Sequence, residues 1–338
     1  MKNTKVILNN FIARIKDEKK YQIHGGIYHA LQVDFAYNSN HIEGSRLTHD
    51  QTKYIFDTKT VGIVPAKVDD IIETVNHFRL FDYVIETMDE ELTEDYIKHL
   101  HYILKNATFS SESMEAVIGD YKKYPNEVSN IETALPSDVG TKMKKLLHSY
   151  NEKNIVSFED IVGFHADFEK IHPFYDGNGR VGRILILKEC LKNDIIPFYI
   201  DDKYKFEYYR GLKEWQNDGD KTYLRETCLF MQDHMKKIFD YFQIDYQKQG
   251  DEGGDDGDAD GTSSLNTASE NDNDGDKSTS SDTPATPSVS DSGNGGTSSK
   301  DTSSKIKNFV SPDSINAIIE NDAEKGTEQE EIDDRDER

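Results

Sequence analysis

Only two cysteines occur in 338 residues, too few for a disulfide framework, so the fold must rest on a hydrophobic core. Cys190 and Cys228 both lie in helical apolar patterns and are expected as buried thiols. No apolar run approaches the roughly 20 residues needed to span a bilayer. The N-terminal stretch MKNTKVILNNFIARIKDEKK interrupts its apolar residues with Asn, Arg and Lys, so it lacks a signal-peptide core. These absences make a reducing cytoplasm the expected compartment and argue against a membrane partner. An excess of basic residues is missing too. Acids outnumber bases 64 to 40, which argues against a protein that grips phosphate backbones, so no nucleic-acid partner is expected.

The acidity is concentrated at one end. Residues 250–338 hold 24 acids against 7 bases and a single aromatic, Phe309. Such a segment cannot offset its ordering entropy by burial. The expected organisation is therefore N-terminal helices over 1–66, a folded core over 67–245 and a disordered acidic tail over 246–338. Within the tail, Ser311-Pro312-Asp313 reads as a helix start and Ile315, Ile318 and Ile319 share a face, so a short docking helix is expected over 311–320. Asp251–Asp260 alternates Asp with Gly but lacks the spacing and closing Glu of a calcium loop.

The body reads as eight or nine helices, an all-α class. Leu31, Phe35 and Asn38 follow helical spacing in Tyr28–Asn38. Thr48 and Gln51 form a capping box for a short helix to about Asp57. Val68–Met88 carries Ile71, Ile72, Val75, Phe78, Val84 and Ile85 on one broad face. Further helices are expected from Thr93, from Pro136, over Phe158–Ile171 behind the Ser157/Asp160 cap, over Asn178–Lys192, Asp202–Gln216 and Thr222–Phe242. Ala107–Leu135 contains Gly119, Pro125, Asn126 and Asn130 and resists a helical reading. A two-stranded hairpin or irregular loop is expected there.

The chemistry is concentrated in His172-Pro173-Phe174-Tyr175-Asp176-Gly177-Asn178-Gly179-Arg180-Val181-Gly182-Arg183. Pro173 has no backbone donor and pushes His172 out of helical geometry, so a helix must stop there. Gly177-Asn178-Gly179 permits positive φ and close approach of a ligand to the backbone. An amphipathic helix is then expected, with Val181, Ile184, Leu185, Leu187 and Leu191 inward. Loop, glycines and helix N-terminus in that order make an anion site. Arg180 and Arg183, three residues apart, share a face and suit phosphate oxygens. Asp176 is a carboxylate where a phosphate-bound Mg²⁺ would need one. His172 is the group that can accept a proton near neutral pH. Each feature has an ordinary explanation alone: a surface histidine, a solvated arginine face, a plain turn. Their coincidence within twelve residues points instead to phosphoryl or nucleotidyl transfer.

The segment resembles the signature of the Fic (filamentation induced by cAMP) family, His-Pro-Phe-x-(Asp/Glu)-Gly-Asn-Gly-Arg-x-x-Arg, at every fixed position from His172 to Arg183. The resemblance covers about Tyr28 to Phe242 and implies the Fic fold, a helical bundle with a β-hairpin flap. It further implies transfer of AMP from ATP, with Mg²⁺ or Mn²⁺, to a Ser, Thr or Tyr hydroxyl of a target protein. His172 would be the base, Asp176 the metal ligand, Gly177, Asn178 and Gly179 the phosphate cradle, Arg180 the clamp on the phosphate chain and Arg183 the clamp on the γ-phosphate. The related Doc toxins, which phosphorylate, carry Lys where this chain has Gly179. Other Fic proteins move UMP or phosphocholine. Self-modification and a homodimer are further expectations.

Ser39-Asn40-His41-Ile42-Glu43-Gly44 resembles the Fic inhibitory motif, (Ser/Thr)-x-x-x-Glu-(Gly/Asn), within an inhibitory helix at about 27–44. Gly44 can end a helix in αL, and a carboxylate on Glu43 could pair with Arg183 and remove the γ-phosphate clamp. ATP would then bind with its α-phosphate misaligned. In such proteins the same Glu can orient water for AMP removal, so a de-AMPylase or a dual enzyme is the closest alternative. An ATP-sensing module presenting the tail is another. Gly119–Leu135 would be the flap that holds a target segment by strand addition. Tyr208, Tyr209 and Gln216 fall where Fic proteins contact adenosine. His165 is expected as a core or capping residue, and His99 and His101 lack the spacing of a zinc site.

Overall fold

The computed structural model describes residues 8–62, 65–112, 117–128 and 131–246. The acidic tail and the expected helix at 311–320 lie outside the described residues. The body is all-α, as the sequence predicts. Its helices are α1 (Asn9–Lys20), α2 (Ile27–Ile42), α3 (His49–Thr58), α4 (Val68–Thr87), α5 (Glu94–Lys105), α6 (Pro136–Asn151), α7 (Phe158–Ile171), α8 (Asn178–Lys192), α9 (Lys205–Asp218) and α10 (Thr222–Tyr241). Two local rules hold closely. Thr48 and Gln51 form the capping box of α3, and Ser157 and Asp160 that of α7, each N-cap side chain accepting from the N3 backbone N–H.

The structure adds one helix and corrects two readings. The added helix is α1, for which no bounds were drawn from the sequence; Leu8, Phe11 and Ile15 bury its inner face, and Phe11 meets Phe239 of α10 at 4.5 Å between ring centroids. The first correction concerns Asp202–Gln216, which is not one helix: Asp202–Tyr204 is a 3₁₀ turn, with Asp201 capping the Lys203 N–H, and α9 begins at Lys205. The second concerns α8, which is not amphipathic. It is buried from Arg180 to Leu191 on every side because α7, α4, α5 and α2 all pack around it. Even Lys188 and Glu189 are enclosed. They pair with each other at 2.7 Å, and Glu189 also accepts from Tyr150 Oη at 3.0 Å. A helix surrounded by helices needs no polar face.

The region that resists a helical reading does contain a hairpin. Strands β1 (Glu127–Val128) and β2 (Ile131–Glu132) pair antiparallel, Glu127 opposite Glu132 and Val128 opposite Ile131. So small a ladder cannot stand alone. Its stems are pinned to the loop after α7: Lys122 N–H donates to Pro173 O at 2.9 Å and Ala134 N–H to Ile171 O at 3.2 Å. Both cysteines are buried and free. Among the described residues no helix is long and apolar enough to cross a membrane.

Candidate active site

The site forms where α7 ends and α8 begins. His172 caps α7 in the left-handed region at φ 52°, and its N–H still donates to Phe168 O at 2.9 Å. Pro173 prevents the helix from continuing. Phe174 is fully buried and lies flat on His101, ring centroids 3.9 Å apart and planes 5° apart. His101 accepts from Gly119 N–H through Nδ1 at 3.0 Å, so Nε2 is the nitrogen that donates to Asp176 O at 3.1 Å. Asn178 holds the loop from within: Oδ1 accepts from Phe174 N–H at 2.8 Å and Nδ2 donates to Phe174 O at 2.9 Å. The side chain of Asn178 is thus committed to loop closure, and what Asn178 presents to a ligand is its backbone N–H. Gly177 takes φ 82° as the N-cap of α8, a conformation glycine adopts without strain. The first N–H groups of α8 lack intrahelical partners and carry the positive end of the helix dipole. An anion site results.

The two motif arginines are placed differently. Arg180 is buried between carboxylates: Nη1 pairs with Glu73 of α4 and Nη2 lies 3.4 Å from both oxygens of Asp176. Lys105 of α5 joins the same group, pairing with Glu73 and, at 2.5 Å, with Asp176. Asp176 is half-exposed at the loop surface. Burial raises its carboxyl, but Arg180, Lys105 and the Gly177 N–H outweigh this and hold it well below the usual carboxylate range. It is therefore an ionised oxygen donor beside the anion site.

Arg183 faces the other way, toward α2. Its Nε donates to Ser39 Oγ at 3.0 Å, and Nη2 donates to Ser39 O at 2.9 Å and to Glu43 Oε1 at 2.7 Å. Burial disfavours the guanidinium charge, yet Glu43 more than restores it, so Arg183 is held above its ordinary value. Gly44 ends α2 at φ 92° with its N–H on His41 O at 3.0 Å, and this turn delivers Glu43. Gly179 makes room for it. A Cβ there would collide with Glu43 Oε1 and sit 2.9 Å from Arg183 Nη1. The Glu43 carboxylate thus lies directly over the first turn of α8.

His172 is mostly enclosed. Burial and then the charge of Lys122 lower its imidazole to about 4, against the Glu169 carbonyl, which accepts from the ring. The ring is neutral at physiological pH and able to take a proton. Lys122 is buried beneath the hairpin, where its ammonium reaches Asn126 Oδ1 at 2.5 Å and Thr133 Oγ at 2.8 Å. Asn126 in turn donates to Phe174 O and Tyr175 O at 3.1 and 3.2 Å.

The residues expected at adenosine split. Tyr208 is 1% exposed, with its hydroxyl 2.7 Å from His165 Nε2, so it backs Arg183 from the core and offers no open face. Tyr209 is exposed and reaches toward Ile42 O at 3.4 Å. Gln216 is buried, its amide 3.4 Å from Ala166 O. His165, expected in the core, is there.

Residues 91–190 match the model of the Fic/DOC family. They are a Fic domain. Among curated proteins, "Protein adenylyltransferase Fic" of Drosophila virilis is 24% identical over 237 residues, covering 69% of this chain and 45% of that protein. The Nematostella vectensis protein of the same name is 29% identical over 191 residues, covering 54% of this chain and 43% of its own length. The chain thus spans less than half the length of these relatives. Among solved structures, a Fic domain containing signaling protein from Bacteroides thetaiotaomicron superposes with a TM-score of 0.56 at 23% identity, over 69% of this chain and 98% of that one. Fic-1 from C. elegans gives 0.54 at 18% identity, over 70% and 73%. These likenesses show the fold. The His172–Arg183 segment lies inside the matched Fic domain, and Ser39 and Glu43 lie before it.

Several residues at the site escaped sequence reasoning: Glu73, His101, Lys105, Lys122 and Glu169. One signal was available. Glu73, Asn76 and His77 place polar groups on the buried side of α4, and polar groups on an inner face need partners. Lys105 and Lys122 carried no such signal, because their neighbours come from distant parts of the chain.

Proposed function

We propose that this protein is an autoinhibited protein adenylyltransferase, moving AMP from ATP to a Ser, Thr or Tyr hydroxyl of a target protein or of itself. The observation that carries the reading is the Arg183–Glu43 pair lying across the N-terminus of α8, beside a neutral His172. The names of the relatives support the same chemistry.

In this reading the exposed N–H groups of α8 hold the phosphates of ATP through hydrogen bonds and the helix dipole. His172 removes the proton from the target hydroxyl as the oxygen attacks the α-phosphorus and pyrophosphate leaves. Arg183 binds the γ-phosphate when Glu43 does not occupy it. Arg180 is enclosed by Glu73 and Asp176, so its part is to hold the loop carboxylate and add positive potential. The Asp176 carboxylate is ionised, half-exposed and next to the anion site, a donor set that fits Mg²⁺ or Mn²⁺ shared with phosphate oxygens. Bound there, the ion would neutralise phosphate charge in the transition state. While Glu43 holds Arg183, the γ-phosphate lacks its clamp and the α-phosphate is out of line with the hydroxyl, which is costly for displacement chemistry.

The organisation that goes with this reading is an N-terminal helical part over 1–66 with the inhibitory helix, a Fic core over 67–245 and an acidic tail over 246–338. The test is label transfer from α-³²P-ATP with Mg²⁺, using wild type, Glu43→Gly and Glu43→Gly/His172→Ala. Labelled protein should rise in Glu43→Gly and vanish when His172 is also replaced. Folded variants that bind ATP yet give no label would refute adenylyl transfer.

A further inference from the structure

A buried acid faces the proposed base from outside the motif. Glu169 sits on the last turn of α7 with its side chain 10% exposed and Oε2 4.0 Å from His172 Nδ1. Its Oε1 is buried without a hydrogen-bond partner. Gly182 of α8 opens the space it fills, since a Cβ there would stand 2.5 Å from Oε1 and 2.8 Å from His165 Nδ1. Enclosing a carboxyl with an unpaired oxygen costs stability that an apolar side chain would not, so a role beyond packing is indicated.

We propose that Glu169 is a positioning residue for the adenylyl transfer argued above: its side chain, 4.0 Å from Nδ1 and too far for a hydrogen bond, acts through its charge, favouring the ring placement in which Nε2 meets the target hydroxyl and steadying the imidazolium that forms. In that step the hydroxyl O–H bond breaks and the proton passes to Nε2. The oxygen bonds to the α-phosphorus, and the bond to pyrophosphate breaks. Glu169 touches no substrate and acts through His172.

The charges around Glu169 make its effect depend on pH. Arg183 faces it from α8, Glu43 from the end of α2, and Tyr208 and Tyr209 from α9, with His165 on its own helix and Lys122 acting on the ring from the hairpin side. Burial pushes its carboxyl up to about 8, with Arg183 opposing and Glu43 adding to the rise. Below that range Glu169 is neutral and gives little help. Above it the carboxylate is present. Withdrawal of Glu43 removes one source of the rise, so the inhibitory acid also suppresses the charged form of Glu169.

The experiment compares Glu43→Gly with Glu43→Gly/Glu169→Gln from pH 6 to 10 by α-³²P-ATP label transfer, alongside ¹³C NMR of the His172 ring in the full chain. The expected result is a rise of about tenfold in the rate of Glu43→Gly with pH, absent from the double variant, with the two converging at pH 6 and KM for ATP unchanged. The His172 ring should show an inflection in the same pH range that Glu169→Gln abolishes. Rate profiles that coincide or run parallel at all pH values would overturn the proposal. A folded Glu43→Gly without label would instead defeat the adenylyl-transfer reading. In that case the ring inflection alone decides whether Glu169 couples to His172, and its absence overturns the coupling.

Discussion

Removing the Glu43 carboxylate should destabilise the protein while activating it. Arg183 is buried, and of its partners Ser39 supplies a hydroxyl and a carbonyl while Glu43 alone supplies charge at 2.7 Å. Breaking a fully buried pair costs about 3–5 kcal/mol because the remaining charge is stranded. Here the Glu43 side chain is 28% exposed, so water can approach the vacated position and the lower range of a charge-assisted hydrogen bond applies, about 2 kcal/mol. For a body of this size that corresponds to a fall in Tm of roughly 4–8 °C. The assay is thermal unfolding of wild type, Glu43→Gln and Glu43→Gly with and without ATP and Mg²⁺. Glu43→Gln should fall less, because an amide oxygen still accepts from Nη2. Nucleotide should raise the Tm of Glu43→Gly more than that of wild type, since phosphate oxygens can take the vacated place. A Glu43→Gly protein with unchanged Tm, or one that nucleotide stabilises no more than wild type, would refute the view that this carboxylate occupies the phosphate clamp.

Three further outcomes are expected. Stability should fall as pH drops below about 6.5. Burial lowers His77 and His165 to about 3 and His101, His172 and His234 to about 4, so the unfolded chain binds more protons in that window and the loss accumulates down to about 3, readable as Tm against pH. Lys122→Met should raise the His172 pKa, because burial and Lys122 both lower it and only burial would remain; NMR titration of the ring gives the sign. Gly211→Ala should cost roughly 1–3 kcal/mol in denaturant unfolding, since the new Cβ would lie 2.7 Å from Leu224 Cα where α9 crosses α10.

Much of this protein was legible in one dimension because the relevant physics is local. Capping boxes at Thr48 and Ser157, the break at Pro173, the positive φ of Gly177 and the stop at Gly44 follow from backbone sterics within a few residues. The twelve residues from His172 to Arg183 carry loop, glycines and arginines in one stretch, so their meeting needs only one turn and one helix start. What the chain brings together from afar was decided by packing. Only the tertiary structure encloses α8 on all sides, turns Arg180 to Glu73 and Arg183 to Ser39 and Glu43, and puts Lys122 beside His172. Periodicity says which face of a helix is buried and is silent on which helix buries it. The charge partners of a buried residue are set by that second fact, because desolvated charges select whichever opposite charge the packing delivers within reach.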